Sequence, residues 1–115
     1  MSATKTRIMY VQRGTMAGRI GRVRFSKTGR TLFYGDLELI PSSAGLKTNY
    51  LDVATGEAYW VSGPRKDGQD TLYPGRIEID DDVAEEYWRD VRGLPASAGT
   101  RELHSQGVHG KRATR

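Results

Sequence analysis

The chain contains no cysteine, and this absence excludes several kinds of site. Disulfides, thiolate nucleophiles and cysteine-based zinc sites are all ruled out. No apolar run approaches the length of a membrane span, so we expect no association with a membrane. The N-terminus carries basic residues but no apolar h-region, and we therefore expect no signal peptide and a cytoplasmic location.

Groups that usually carry catalysis are also scarce. The two histidines, His104 and His109, lie in a small, polar and basic segment that offers nothing to orient an imidazole. A Ser/His/Asp or Cys/His arrangement is therefore not expected. Asp67 and Asp70 flank a glycine, but the further oxygen ligands of a calcium loop are missing. We predict no catalytic residue, no metal and no cofactor.

Acidic residues are absent from the first thirty positions, which hold eight lysines and arginines. Residues 31–98 hold thirteen acids against six bases, and residues 99–115 hold four bases against one acid. A solvent-facing first third would attract phosphate groups or an acidic partner. The same residues would be neutralised if they paired with the acidic middle of their own fold, and the sequence leaves both arrangements open.

What is present is a series of short β-prone runs separated by glycine-containing turns. The segment of residues 19–26 alternates Gly21, Val23 and Phe25 with arginines, which predicts a half-buried strand whose outer face is basic. Residues 27–30 and 54–56 read as hairpin turns. Six or seven such strands predict a mainly β fold with one C-terminal helix, built as a small, strongly bent antiparallel sheet or an SH3-like partly closed barrel.

The helix is the best-marked element of the chain. Asp82 with Glu85 three residues later predicts a capping box at its start, and Gly93 predicts its end. Its apolar face should pack on the sheet. For the whole chain we predict a flexible arm at residues 1–6, one globular domain at residues 7–95 and a disordered basic tail at residues 96–115.

Three blocks of sequence resemble one known family. They read IGRVRFSKTGRTLFY, NYLDVATGEAYWVSGPRKDGQDTLYPG and IEIDDDVAEEYW, and together they lie within residues 18–92. The family consists of short bacterial proteins of unknown function, some of which carry the name deoxyxylulose-phosphate synthase. This chain has neither the thiamine-diphosphate machinery nor the size of that synthase. The resemblance therefore implies one compact domain with a variable tail, and no activity, cofactor or catalytic residue.

Binding of nucleic acid, or of a nucleoprotein partner, is the function that the sequence favours. Arginines on one face of a strand, with basic residues in the adjoining turn and aromatic residues on neighbouring strands, are typical of surfaces that contact phosphates and stack bases. The residues expected to make these contacts are Arg22, Arg24, Lys27, Arg30, Arg65 and Lys66.

Two alternatives remain at this stage. The polar loop at residues 63–73 would suit a protein-interaction or regulatory module, with contacts from Arg65, Lys66, Asp67, Gln69 and Asp70. A small hydrolase-like enzyme would use Lys66, Asp67 or Asp70 around the same loop. The oligomeric state does not follow from the sequence.

Overall fold

The computed structural model describes residues 5–13, 16–42, 48–71 and 74–106, within which eight strands form a single sheet. The strands are β1 (Thr6–Arg13), β2 (Gly18–Phe25), β3 (Leu32–Tyr34), β4 (Leu37–Pro41), β5 (Tyr50–Asp52), β6 (Ala58–Ser62), β7 (Gly75–Ile79) and β8 (Glu102–Ser105). Between β7 and β8, an α-helical turn (α1, Ala84–Glu86) continues as a π-helical turn (Tyr87–Val91), and a 3-10 turn follows (Pro95–Ser97).

Six of these strands close into a barrel. Their order is β1-β6-β5-β4-β3-β2, every neighbour is antiparallel, and β2 pairs with β1 to complete the ring. The β1–β2 register places Thr6 opposite Arg24 and Val11 opposite Arg19. The prediction of a mainly β fold with a barrel and a C-terminal helix is confirmed, and the barrel is closed rather than partly closed.

Strands β1 and β2 bury both of their faces, because the sheet continues outside the barrel. One face packs inside the barrel with the residues Met9, Val11, Val23, Leu32, Leu39, Tyr59 and Val61, which form the barrel core. The opposite face packs under β7, β8 and the helix with the residues Ile8, Tyr10, Ile20, Ile77, Ile79, Val83, Ala84, Tyr87 and Trp88, which form the outer core. Each core buries large apolar side chains, and burial of such surface is the main stabilising term in folding.

The outer face of β2 differs from the half-buried, basic face that its alternation predicts. Its first half is covered, and Ile20 is fully buried there, because side chains of β7 and of the helix region, such as Ile79 and Val83, pack on it in the outer core. Only the second half, where β3 takes over the pairing at Arg24 and Phe25, leaves that face open. The strand alternation was read correctly, but a second layer covers half of the surface that it predicts to be exposed.

The helix packs on the sheet as predicted. The sequence predicted its end correctly but not the way in which it starts. Gly93 has a φ of 67° and ends the helix, as its position predicts. The predicted capping box does not form, because Asp82 makes no capping hydrogen bond and the helix starts after Val83. A turn closed by the Val83 amide and the Asp80 carbonyl, 3.2 Å apart, occupies that place instead.

The segment after residue 95 also differs from the predicted disordered tail. Residues 102–105 form β8, which pairs with β7, and Ser105 is buried. The physical reason is the free edge of β7, which offers backbone partners, and the outer core, against which Leu103 packs. His104 is exposed on this strand. Residues 107–115, including His109, and residues 1–4 of the predicted arm lie outside the described residues.

Candidate functional site

The basic residues of the first third fall into two groups, and the first group is neutralised within the fold. Arg13, Arg19 and Arg22 each make an ion pair with an acid from the middle of the chain. Arg13 pairs with Glu57 at 3.4 Å, and Arg22 pairs with Glu86 at 2.8 Å. Arg19 pairs with both Glu78 and Asp80, each at 2.6 Å. Internal pairing therefore accounts for part of the charge asymmetry, but only for part.

The second group makes no ion pair within the described residues, and all five of its side chains are exposed. It consists of Lys5, Arg7, Arg24, Lys27 and Arg30. These residues meet at one end of the barrel, where β1 begins and β2 turns into β3, because the antiparallel register brings the two segments side by side. We call this surface the basic end.

Backbone pairing fixes the members of the basic end next to one another. Thr6 lies opposite Arg24 in the β1–β2 ladder, and the Phe25 amide donates to the Lys5 carbonyl at 2.8 Å. Directly paired residues of antiparallel strands have Cβ atoms about 4.5–5.5 Å apart. Lys5 and Arg7 therefore lie on either side of the residue that faces Arg24, while strand alternation turns Arg24 to the opposite face of the sheet from Lys5, Arg7 and Phe25.

The β2–β3 hairpin presents the other two cations. Its turn is closed by the Ser26 amide, which donates to the Thr31 carbonyl at 2.8 Å, and by the Gly29 amide, which donates to the Ser26 carbonyl at 2.9 Å. Gly29 has a φ of 77°, a conformation that glycine adopts without strain. This geometry leaves Lys27 and Arg30 exposed around a tight turn.

Aromatic rings lie among these charges on both faces of the sheet. The Arg24 guanidinium sits 4.4 Å from the centroid of the Phe33 ring, which is a cation–π contact. On the other face, Phe25 lines a groove of about 470 Å³ together with Lys5, Arg7 and Lys27. The basic end thus combines unneutralised cations with accessible aromatic surface.

Arg22, which the sequence places in the same nucleic-acid surface, belongs to the neutralised group. Its guanidinium pairs with Glu86 on the helix, at the border of the outer core. Lys5 and Arg7 were missed by sequence reasoning, because Lys5 falls in the predicted flexible arm and neither residue is near the hairpin in sequence. The signal that would have found them is the pairing of β1 with β2, which the alternation of each strand alone does not specify.

Arg65 and Lys66 are placed in a separate structural unit, the loop at residues 63–71. Arg65 is exposed and pairs with Asp67 at 3.1 Å, and this neighbour raises the pKa of the Arg65 guanidinium. The Lys66 carbonyl accepts a hydrogen bond at 2.9 Å from Nε of Arg92, at the end of the helix. The Lys66 backbone is therefore attached to the helix end, Arg65 pairs with Asp67 inside the loop, and no described contact joins either residue to the hairpin.

The loop is a packed element rather than a freely displayed one. The Gln69 side-chain carbonyl accepts the Gln106 amide at 2.6 Å, and the hydroxyls of Thr71 and Ser105 lie 2.7 Å apart. Of the residues predicted to bind a partner there, Arg65, Lys66 and Asp67 are exposed, Gln69 is half-buried and Asp70 is buried. Leu72 and Tyr73 lie outside the described residues.

Asp70 is a buried acid whose surroundings raise its pKa. Its Oδ1 accepts the Arg65 amide at 2.7 Å, while its Oδ2 is buried and has no hydrogen-bond partner among the described residues. Burial raises the pKa of Asp70 to about 6, and the negative charge of Asp67 acts in the same direction. No pattern in the sequence marks this carboxyl, since its burial depends on the packing of the loop against distant segments.

The features needed for a hydrolase-like site are not brought together around this loop. Lys66 and Asp67 are exposed, whereas Asp70 is buried. Among the residues described, no group of three His, Cys, Asp or Glu side chains is arranged to hold a metal ion. Among the described residues, Asp70 accepts a single hydrogen bond, from the Arg65 amide.

Comparison of the chain with family models, with curated proteins and with solved structures found no match. Within the described residues, no helix is long and apolar enough to cross a membrane. A function for this chain is therefore inferred from its own residues, and the basic end is the surface whose chemistry is most specific.

Proposed function

We propose that this chain is a non-catalytic binding module for nucleic acid, and that it contacts phosphates through the basic end. The observation that carries the proposal is the selective pairing of the basic residues. Arg13, Arg19 and Arg22 are neutralised by acids, while Lys5, Arg7, Arg24, Lys27 and Arg30 share one end of the barrel without an ion pair in the described structure. Surfaces of this kind attract polyanions because each neutralised phosphate releases condensed counterions.

The aromatic residues support nucleic acid over other polyanions. Phe33 already stacks against the Arg24 guanidinium, and Phe25 lies between cations in the groove. Aromatic side chains beside cations contact bases as well as phosphates in proteins that bind single strands. The closed barrel supplies a rigid support, because β1 and β2, which carry Arg7, Arg24 and Phe25, are buried on both faces along much of their length.

The test is a binding titration with labelled single-stranded DNA, duplex DNA and RNA between about 50 and about 200 mM salt. If all five cations contact phosphates of a single strand, the logarithm of the association constant should fall with the logarithm of salt concentration with a slope of about −3.5. Absence of binding even at the lowest salt concentration would overturn the proposal.

A matched pair of double variants distinguishes binding by the basic end from binding that depends only on the net charge of the protein. Arg24→Gln with Arg30→Gln removes two charges from the basic end, and Arg76→Gln with Arg89→Gln removes two exposed charges that have acidic neighbours. The first double variant should weaken binding at least tenfold, and the second should have little effect. Equal losses would mean that binding follows the total charge of the protein and would contradict the proposed site.

The two loop residues form a separate arm of the same test. Arg65→Gln with Lys66→Gln should leave affinity nearly unchanged if the basic end is sufficient for binding. A loss as large as that of the Arg24 and Arg30 variant would place the loop in the interface as well, as the sequence analysis predicted. Arg22 is left unchanged in these tests because its guanidinium is already paired with Glu86.

A further inference from the structure

The groove at the mouth of the barrel has the dimensions and chemistry of a small-ligand site. It encloses about 470 Å³, which falls within the usual range of about 300–1,000 Å³ for such sites. Its lining consists of Lys5, Arg7, Phe25, Ser26, Lys27, Thr28 and Gly29. Three of these residues are cationic, one is aromatic, two carry hydroxyls, and none is acidic.

The ladder determines how the ring and the charges are arranged in this groove. Lys5 lies across from Phe25, since their backbones are hydrogen-bonded, and Arg7 occupies the next position of β1 on the same face. Diagonal neighbours on one face of an antiparallel pair are about 7–8 Å apart. The half-buried ring of Phe25 is therefore flanked by Lys5 and Arg7 on one side. Lys27 lines the groove from the hairpin turn.

The opposite mouth of the barrel provides an internal comparison. It holds a pocket of about 380 Å³ whose lining includes Arg13, Arg19 and Arg76. All three of these guanidinium groups pair with carboxylates, so the cationic charge of that pocket is offset. The two ends of the barrel therefore differ in whether their cationic charge is offset by carboxylates, and of the two the groove beside Phe25 keeps its charge.

We infer that this groove binds one unpaired nucleotide, with the base against Phe25 and its phosphate against Lys5, Arg7 and Lys27. This inference rests on the proposed function and makes it more specific, because it assigns a preference for single strands. A base inside a duplex is stacked between its neighbours and has no free face to offer to Phe25, whereas an unpaired base does. The Thr28 hydroxyl, which is exposed in the turn, adds a donor for the phosphate or sugar.

The first experiment compares one single-stranded oligonucleotide with a duplex that contains it. The Phe25→Leu variant keeps an apolar side chain for the barrel core and removes the aromatic face. It should lower affinity for the single strand about tenfold, because the base loses the ring on which it stacks, and it should leave affinity for the duplex unchanged. Tyr50→Leu is the matched control, because Tyr50 is another partly buried aromatic residue that packs on the barrel core but lies outside the groove.

The outcomes separate the inference from the proposal on which it rests. If Phe25→Leu has the same effect on both nucleic acids, or none on either, the nucleotide site is wrong, while the proposed function stands as long as the Arg24 and Arg30 variant still weakens binding. If the unmodified protein binds neither nucleic acid, the proposed function fails first and the nucleotide site fails with it.

A second measurement needs no variant, and so it remains valid if Phe25→Leu fails to fold. Uridine monophosphate is added to the isotope-labelled full chain, and shifts of the NMR signals are followed. The Phe25 ring signals and the side-chain signals of Lys5 and Arg7 should move together and saturate, while those of Arg13 and Tyr59 at the other mouth stay in place. Shifts at both mouths of equal size, or no shift at Phe25, would overturn the inference.

Discussion

Asp70 and Arg65 are joined by a hydrogen bond in which the Arg65 amide donates to Oδ1 of Asp70 at 2.7 Å. The other oxygen of the same carboxyl is buried without a partner among the described residues. The loop is therefore held by an acid whose charged form is poorly solvated. This arrangement makes the stability of the fold depend on pH in a direction opposite to that of an ordinary paired carboxylate.

The first prediction concerns that pH dependence. Burial raises the pKa of Asp70 to about 6 in the folded chain, above the 3.8 of an unburied aspartate, so the folded state binds the proton more tightly. Stability should therefore increase as the pH falls through about 6, by about 1 kcal/mol between pH 7.5 and pH 5. Charged and titratable groups that act on Asp70 or lie near it include Arg65, Asp67 and Arg92, together with the phenols of Tyr10 and Tyr87.

The measurement is denaturant unfolding across that pH range for the unmodified chain and for Asp70→Asn. Subtracting the two curves removes the contribution of groups that titrate equally in both proteins. The variant should lose most of the increase in stability on acidification. Parallel curves for the two proteins would contradict the assignment of this titration to Asp70.

The second prediction concerns the contact between Gly18 and Tyr10. A Cβ atom at Gly18 would overlap the Tyr10 ring, which is fully buried in the outer core and cannot move aside easily. Gly18→Ala should therefore lower the free energy of unfolding by about 1–3 kcal/mol. Gly63→Ala is the control, because nothing lies within 4 Å of the added atom and its φ is not in the left-handed region. A thermal melt that shows equal changes for both variants would contradict the close packing.

The third prediction is that the two cores unfold together, because β1 and β2 belong to both of them. Leu39→Ala creates a cavity in the barrel core and should lower the free energy of unfolding by about 2–5 kcal/mol. Tryptophan fluorescence, which comes from Trp88 in the outer core and from Trp60 packed against it, should report the same shifted midpoint as the barrel methyl signals. Ile40→Ala removes an exposed neighbour on the same strand and should have little effect. Separate midpoints for the two probes would show that the cores are independent.

The fourth prediction concerns the attachment of the loop to the helix end. The Arg92 guanidinium donates to the Lys66 carbonyl, packs against Gly68 and lies 5.0 Å from the Trp88 ring centroid. Arg92→Ala should weaken this attachment by about 1 kcal/mol, seen as roughly fivefold faster amide exchange at residues 65–69. Arg89→Ala is the control, since that side chain is exposed and pairs with its neighbour Asp90. Unchanged exchange in the Arg92 variant would mean that the loop is held by its other contacts.

The sequence predicted correctly the elements whose structure depends on residues close together in the chain. The hairpin at Gly29, the helix stop at Gly93 and the buried helix face of Val83 and Tyr87 all follow from conformational preference and periodicity within a few residues. The strand β8 was not predicted, because the pairing energy of its four residues comes from the free edge of β7 and not from their own composition. The capping box failed for a similar reason, since a backbone turn at Asp80 displaced it.

The candidate site also combines features that follow from local sequence with features that depend on contacts between distant segments. The sequence by itself determined that the first thirty residues carry only positive charge, that Arg24, Lys27 and Arg30 lie around one hairpin, and that the chain forms a β-rich fold. Only the tertiary structure decided which of those charges remain available. Arg13 meets Glu57 44 positions away and Arg19 meets Asp80 61 positions away, because barrel closure and the outer layer bring these segments together. The Coulomb energy of two charges depends on their distance in space and not on their separation in the sequence. Folding therefore decides that Arg13 and Arg19 lie next to acids, while Lys5, Arg7 and the rest of the basic end make no ion pair in the described part of the chain.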